Sequence, residues 1–358
     1  MREFSCGVRI CAGDGALGVL NREQAKRVFV VTDSYFSGNG TAAAVGSRVP
    51  GAVVEIFDKV TPDPTAALAA EGAALCRRFQ PELLIALGGG SPMDCAKAIR
   101  LAYGKPLRFA AIPTTAGSGS EVTTFSILTH EGIKHPLVDR GLLPDLAILD
   151  PTLVATLPPG LVAEGGMDLL AHCVEALGGT NHSAFSDGLA LQGAALAVTL
   201  LPDAFRGDTS VRGTLQEAAT MAGLAFDHAG LGVCHALAHA LGGVFHIPHG
   251  RLCGMLLPGV IEFNAPAAER AYGTLAQVLG CRAAAASLTT RNLISTIRTL
   301  RTRLRLPATL TEAGVTTAQW KAAEETVLTA ALEDPCCRTN PVPVTRDGLR
   351  QILRTVIP

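Results

Sequence analysis

The chain has 358 residues, 48% of them hydrophobic and 17% charged, with a formal net charge of −1. That length accommodates two domains with full cores, and a nearly neutral chain without a Lys/Arg run excludes nucleic acid as a partner. Its apolar stretches are broken by Gly, Pro or His before the roughly 18 residues a spanning helix needs, so no membrane partner is expected.

The N-terminus, MREFSCGVRICAGDG, lacks the charged-then-apolar order of a secretory signal. The chain is therefore expected in the cytoplasm or a compartment reached from it. Ten cysteines are scattered without a CxxC pair, and most sit among Ala, Leu and Val, where a thiol acts as a small hydrophobe. Cys173 and Cys234 adjoin His172 and His235, but helix neighbours point about 100° apart, so both read as packing residues.

In chain order, RVFVVTD (27–33), VVEIF (53–57), LLIAL (83–87) and FAAIP (109–113) read as buried strands. Ala-rich helical segments lie between them at 64–79 and 91–104. Such alternation predicts an α/β unit with a parallel sheet covered by helices. TTFSILTHEGIKHPLVD (123–139) reads as a hairpin around Glu131-Gly132, and LAILD (146–150) as another strand. After Pro158-Pro159-Gly160 helical periodicity takes over, which places an α/β domain at 1–157 and an all-α domain at 158–358. The apolar composition also leaves room for a homodimer or larger homo-oligomer.

The strand at 83–87 ends in Gly88-Gly89-Gly90-Ser91, and a helix opens with Pro92 in its first turn. Amides in such a turn can approach a pyrophosphate closely, with the helix dipole behind them, although a tight βα connection would look the same. IPTTAGSGSEVT (112–123) is a second Gly- and hydroxyl-rich loop after a strand, and two such loops form the crevice where open α/β sheets bind ligands. Asp33 ends its strand, where a carboxylate can accept from the adenosine ribose and repel a 2′-phosphate, favouring NAD over NADP. It could equally be a capping Asp.

The second half carries two one-turn pairs, Asp168/His172 in GGMDLLAHCVEAL and His235/His239 in CHALAHALGGVFHIPHG, with His249 after a Gly-rich turn. Residues four apart on a helix share a face. One carboxylate with imidazoles suits a catalytic divalent ion such as Fe(II), Zn(II) or Mn(II), whereas a closed structural zinc site draws more on cysteine.

Together, GGGSPMDCAKAI, AIPTTAGSGSEVT, PDLAILDP, GMDLLAHCVEA, GLGVCHALAHALGG and PHGRLCGMLLPGVIEFN resemble the iron-containing (group III) alcohol dehydrogenase family, in its order and over nearly the whole chain. TPDPT, IKHPLVD and DPCCRTNPVP look closest to the 1-propanol dehydrogenases of propanediol-using bacterial microcompartments, with ethanolamine-pathway ethanol dehydrogenases next. The resemblance implies a Rossmann-like domain, an all-helical domain and an active site in the cleft between them. It implies Asp168, His172, His235 and His249 as metal ligands, for Fe(II) with Zn(II) the alternative, and His239 as the histidine facing substrate and nicotinamide. It implies dinucleotide contacts at Asp33, Gly89, Gly90, Ser91, Asp94, Thr114, Thr115, Ser118 and Lys134. The implied activity is an NAD-dependent primary alcohol dehydrogenase reducing short aldehydes, propanal first, inside or outside a microcompartment. Acetaldehyde, glycolaldehyde or another polar aldehyde, a glycerol-dehydrogenase-like polyol activity and a dehydroquinate-synthase-like lyase are the alternatives. The motifs depart from the family pattern at Asp227-His228, at His246, which could line the pocket or sit on a surface turn, and in a short link before the strand at 109–113.

Overall fold

A computed structural model of the protein describes residues 4–130 and 133–357. The chain divides into two compact units, Ser5–Leu157 and Pro158–Pro358, with Phe4 counted with the second.

The first unit is built on strands β1 (Arg9–Ala12), β2 (Arg27–Asp33), β3 (Val53–Val60), β4 (Leu83–Gly88), β5 (Arg108–Pro113) and β8 (Leu146–Leu149). They form one sheet in the order β1-β8-β5-β4-β2-β3, every pairing parallel. Helices α1 (Ser34–Gly38), α2 (Thr41–Gly46), α3 (Ala66–Phe79) and α4 (Gly90–Tyr103) make the connections. The buried runs obey the two-residue period: Phe29, Val31, Leu84 and Ala86 pack into one core, while Val28, Val30, Leu83 and Ile85 pack into the other. Both faces are thus covered, which is why these strands read as continuous apolar segments. Strand β1 escapes the sequence pattern because it has only four residues, half exposed at the sheet edge. Strands β6 (Phe125–His130) and β7 (Ile133–Val138) pair antiparallel, and the expected Glu131-Gly132 turn lies outside the described residues.

The second unit is helical among the described residues: α5 (Pro159–Gly178), α6 (Ala184–Phe205), α7 (Arg212–Ala229), α8 (Val233–Phe245), α9 (His249–Val278), α10 (Ala286–Arg303), α11 (Thr317–Glu333) and α12 (Arg346–Leu353). Helix α5 packs against α6, α7 and α9, and α8 against α9 and α11. Every residue from Gly166 to Leu177 is buried, so α5 is a central helix, apolar nearly all round, whose few polar side chains need partners. With 22 residues and a mean hydropathy of 1.4 over its most apolar window, α6 is long and apolar enough to cross a membrane. Gly188, Gly193 and Pro202 interrupt its apolar run without interrupting the helix, which buries Ala190, Ala194, Ala197 and Leu201 as it packs along α5 and α7.

Candidate active site

In the first unit, three loops lie at the carboxyl ends of adjacent strands. Order in the sheet reverses around β2, which has β3 on one side and β4 on the other, the topological switch where open sheets bind ligands. Asp33 ends β2, and Gly88–Ser91 runs from β4 into α4. Thr114, Thr115 and Ser118 follow β5, with Thr114 N donating to Gly88 O at 3.0 Å. A Cβ at Gly89 would stand 3.2 Å from Thr115 Cγ2, so a side chain there would press on the facing loop. Gly89 is also the N-cap of α4 and supplies no capping side chain, leaving first-turn amides available to an anion. This cradle fits a dinucleotide pyrophosphate.

Asp33 takes the capping role that the sequence left open. Its Oδ1 caps α1 by accepting from Tyr35 N at 3.0 Å and Phe36 N at 3.1 Å, while Oδ2 has no part in that cap. Burial pushes the Asp94 carboxyl up to about 7, against the pull of Lys97 and of hydrogen bonds from the Ile127 backbone and Ser120. Buried Lys97 ties the loop after β5 to α4 by donating to Ser120 Oγ and Thr123 Oγ1, both at 2.9 Å. Lys134 is ion-paired to Asp63 at 2.6 Å.

In the second unit, three imidazoles converge on one carboxylate oxygen. Asp168 Oδ1 lies 3.8 Å from His172 Nε2, 3.5 Å from His235 Nε2 and 3.4 Å from His249 Nε2. Ligand atoms about 2.0–2.3 Å from one ion in tetrahedral array stand about 3.3–3.8 Å apart, the range in which these three distances fall. His235 Nε2 is buried without a hydrogen-bond partner, a cost that an ion would remove. Burial alone would raise Asp168, but the charges of His172 and His249 and the close approach of His235 and His249 hold it well below the usual carboxylate range. The residues fit a divalent cation.

Local sequence explains the convergence. Asp168 and His172 sit one turn apart on buried α5, and His235 is in the first turn of α8. His249 opens α9, where a Cβ at Gly250 would stand 2.0 Å from Glu164 O; only glycine lets α9 press its first turn onto α5. Arg251 Nε donates to Glu164 Oε1 at 2.6 Å and fastens the same contact.

Three residues that sequence reasoning passed over complete the centre. Glu175 Oε2 accepts from His235 Nδ1 at 2.5 Å, and Oε1 accepts from Cys234 N at 2.6 Å. Asp334 Oδ2 accepts from His239 Nδ1 at 2.8 Å, and the His239 and His249 rings stack at 5.1 Å. Cys253 Sγ lies 3.5 Å from His249 Nε2, so a sulfur stands beside the histidine cluster. Glu175 falls seven residues after Asp168 and Cys253 four after His249, spacings that share a helical face and were legible as such. His246 is exposed and closes α8 in the left-handed region, φ 54°, and His228 stacks on Phe4 at 4.2 Å.

The parallel-sheet unit thus carries two facing glycine loops, and the helical unit a cluster of one aspartate and three histidines. Residues 8–151 match the iron-containing alcohol dehydrogenase profile and residues 162–357 the C-terminal profile of the Fe-containing alcohol dehydrogenase family. The chain belongs to the iron-containing alcohol dehydrogenase family. It is 39% identical to the 1-propanol dehydrogenase PduQ of Salmonella typhimurium, covering 100% of both chains. It is 33% identical to an NADPH-dependent butanol dehydrogenase of Clostridium saccharobutylicum, covering 99% and 98%. Among solved structures, a sulfoacetaldehyde reductase from Bifidobacterium kashiwanohense in complex with NAD+ superposes with a TM-score of 0.88 at 27% identity, covering 99% and 98%.

Proposed function

We propose that this alcohol dehydrogenase is NAD(H)-dependent and works as a short-chain aldehyde reductase, with propanal and 1-propanol as its favoured pair. The observation that carries the chemistry is the meeting of three imidazole Nε2 atoms at Asp168 Oδ1. Asp168, His172, His235 and His249 are assigned to Fe(II), with Zn(II) the alternative. Residues 1–157 are assigned to the dinucleotide and 158–358 to metal binding and catalysis.

When bound, the divalent ion supplies Lewis-acid stabilisation of negative charge on the substrate oxygen, and the dinucleotide supplies or accepts the hydride. The rest falls to the chain. Gly89, Gly90, Ser91, Thr114, Thr115 and Ser118 seat the pyrophosphate, with Asp94 and Lys134 beside them, and Asp33 Oδ2 accepts from the adenosine ribose. His239 exchanges the hydroxyl proton through Nε2, since its Nδ1 is engaged by Asp334. Asp334, held down to about 2 by its hydrogen bond and charge interaction with His239 despite burial, is ionised and stabilises the imidazolium during transfer.

Propanal is favoured by the 39% identity to a 1-propanol dehydrogenase. A second reading, a polar or sulfonated aldehyde, is favoured by the sulfoacetaldehyde reductase likeness. The test is turnover of Fe(II)-loaded protein with NADH and propanal, acetaldehyde, glycolaldehyde or sulfoacetaldehyde. The highest kcat/KM with propanal supports the assignment, and preference for the sulfonated substrate overturns it. A homo-oligomer in the cytoplasm, or in a microcompartment there, completes the proposal.

A further inference from the structure

Cys253 stands one turn after His249 on the first turns of α9, and its Sγ lies 3.5 Å from His249 Nε2 and 3.7 Å from Asp168 Oδ1. Donor atoms of Asp168, His235, His249 and Cys253 all fall within 4.8 Å of one another. His172 Nε2, 3.8 Å from Asp168 Oδ1, is no nearer than the sulfur. Its ring is stacked between Phe226 and His235, each centroid 4.4 Å away. With metal–sulfur bonds of about 2.3 Å and metal–nitrogen bonds of about 2.0–2.1 Å, a tetrahedral N···S or O···S edge is about 3.5 Å. Both measured edges match.

Resting on the metal-centre reading above, we propose that the chain carries two overlapping donor sets for one ion. Asp168, His172, His235 and His249 form the harder set, suited to Fe(II). Asp168, His235, His249 and Cys253 form a second set, with a thiolate in place of His172, that captures thiophilic ions such as Zn(II) or Co(II). No electron transfer is involved: the Cys253 S–H bond breaks, the metal–sulfur bond forms, and the proton passes to solvent buffer. Thiolate donors favour zinc and cobalt over harder ions. The zinc form should therefore be tightly held through its thiolate.

Two other cysteines serve as controls. Cys234 Sγ donates to the Cys253 carbonyl at 3.7 Å and also lies against the Cys253 thiol, outside the group of donor atoms that could share an ion. A Cβ at Gly193 would meet Cys173 Sγ at 2.9 Å, which places that sulfur against α6.

X-ray absorption of full-length zinc-loaded protein tests the assignment without relying on turnover. One sulfur at about 2.3 Å alongside nitrogen and oxygen at about 2.0–2.2 Å is expected. Cys253→Ser should lose the sulfur shell and weaken zinc binding by about tenfold or more, with a smaller change for Fe(II); Cys253→Ala should do the same if the serine variant folds poorly. Cys234→Ser should keep the shell. A wild-type zinc form with only nitrogen and oxygen neighbours overturns the second donor set and leaves the metal centre standing. A sulfur shell that survives Cys253→Ser overturns the choice of cysteine. Protein that binds no zinc at all overturns both this inference and the metal-centre reading.

Discussion

His235 Nδ1 donates to Glu175 Oε2 at 2.5 Å, and the other oxygen of the same carboxylate caps the start of α8 through Cys234 N. Because a carboxylate only accepts, the proton is fixed on Nδ1 and the Nε2 lone pair points at Asp168. One buried acid thus sets both the tautomer of a candidate ligand and the position of the helix that carries it.

Glu175→Gln should therefore weaken metal binding by about 10–100-fold, the usual scale for an outer partner of a ligating histidine. The amide can still cap Cys234 N, but its NH2 then opposes the Nδ1 proton. Titration with Fe(II) or Zn(II), with circular dichroism to confirm folding, measures the effect. Unchanged affinity would remove Glu175 from the centre.

The i, i+4 spacing of Asp168/His172 and His235/His239 was readable because α5 and α8 are regular helices, and the apolar runs of β2 and β4 because the sheet is covered on both faces. Less was readable where a role depends on distant chain. Asp334 lies 95 residues from His239, and no local period links them. Cys253 has a legible one-turn spacing from His249 but looked like the other apolar-flanked cysteines, because Asp168 reaches it only through the packing of α9 on α5. Asp33 was ambiguous for a different reason: capping a helix and meeting a ribose use different oxygens of one group, and the sequence pattern is the same for both.

Cofactor preference should be governed by Asp33. Its free oxygen can make a charge-assisted hydrogen bond to a ribose hydroxyl, and its charge opposes a 2′-phosphate, so kcat/KM with NADH should exceed that with NADPH by about tenfold or more. Asp33→Gly should narrow the gap, with some loss of stability from the missing α1 cap. Equal use of both cofactors by the wild type would sink the assignment.

Asp94, pushed up to about 7 chiefly by burial, gives the dinucleotide site a pH dependence. Below about pH 7 the group is protonated and neutral; as pH rises through that value it becomes an anion beside the loops assigned to the pyrophosphate. NADH affinity should fall by about three- to tenfold between pH 6 and pH 8, as like charges come together. Asp94→Asn should flatten the profile. Fluorescence titration of NADH at constant ionic strength reads the difference, and an equally steep profile in the variant would assign the dependence elsewhere.

His239 and Asp334 supply the sharpest division of roles. His239 shares a helical face with His235, yet its Nδ1 is held 2.8 Å from Asp334 Oδ2. The tetrahedral spacing around Asp168 is already met by the other three histidines, and a fifth protein ligand would crowd the position a substrate oxygen needs. His239→Ala should keep stoichiometric metal while turnover falls by about 10²-fold or more, the range for a lost acid–base group. Asp334→Asn should also keep metal, with kcat down by about tenfold or more as the imidazole loses its orienting anion. Stability gives an independent reading. A carboxyl held down to about 2 in the folded state contributes stability above its unfolded value near 4, and that contribution is lost as pH falls through about 2. The urea midpoints of wild type and Asp334→Asn should therefore differ at pH 7 and converge between about pH 4 and pH 2. Loss of metal in His239→Ala would make that residue a ligand, and parallel midpoints at every pH would mean that Asp334 is not paired to an imidazole in the folded chain.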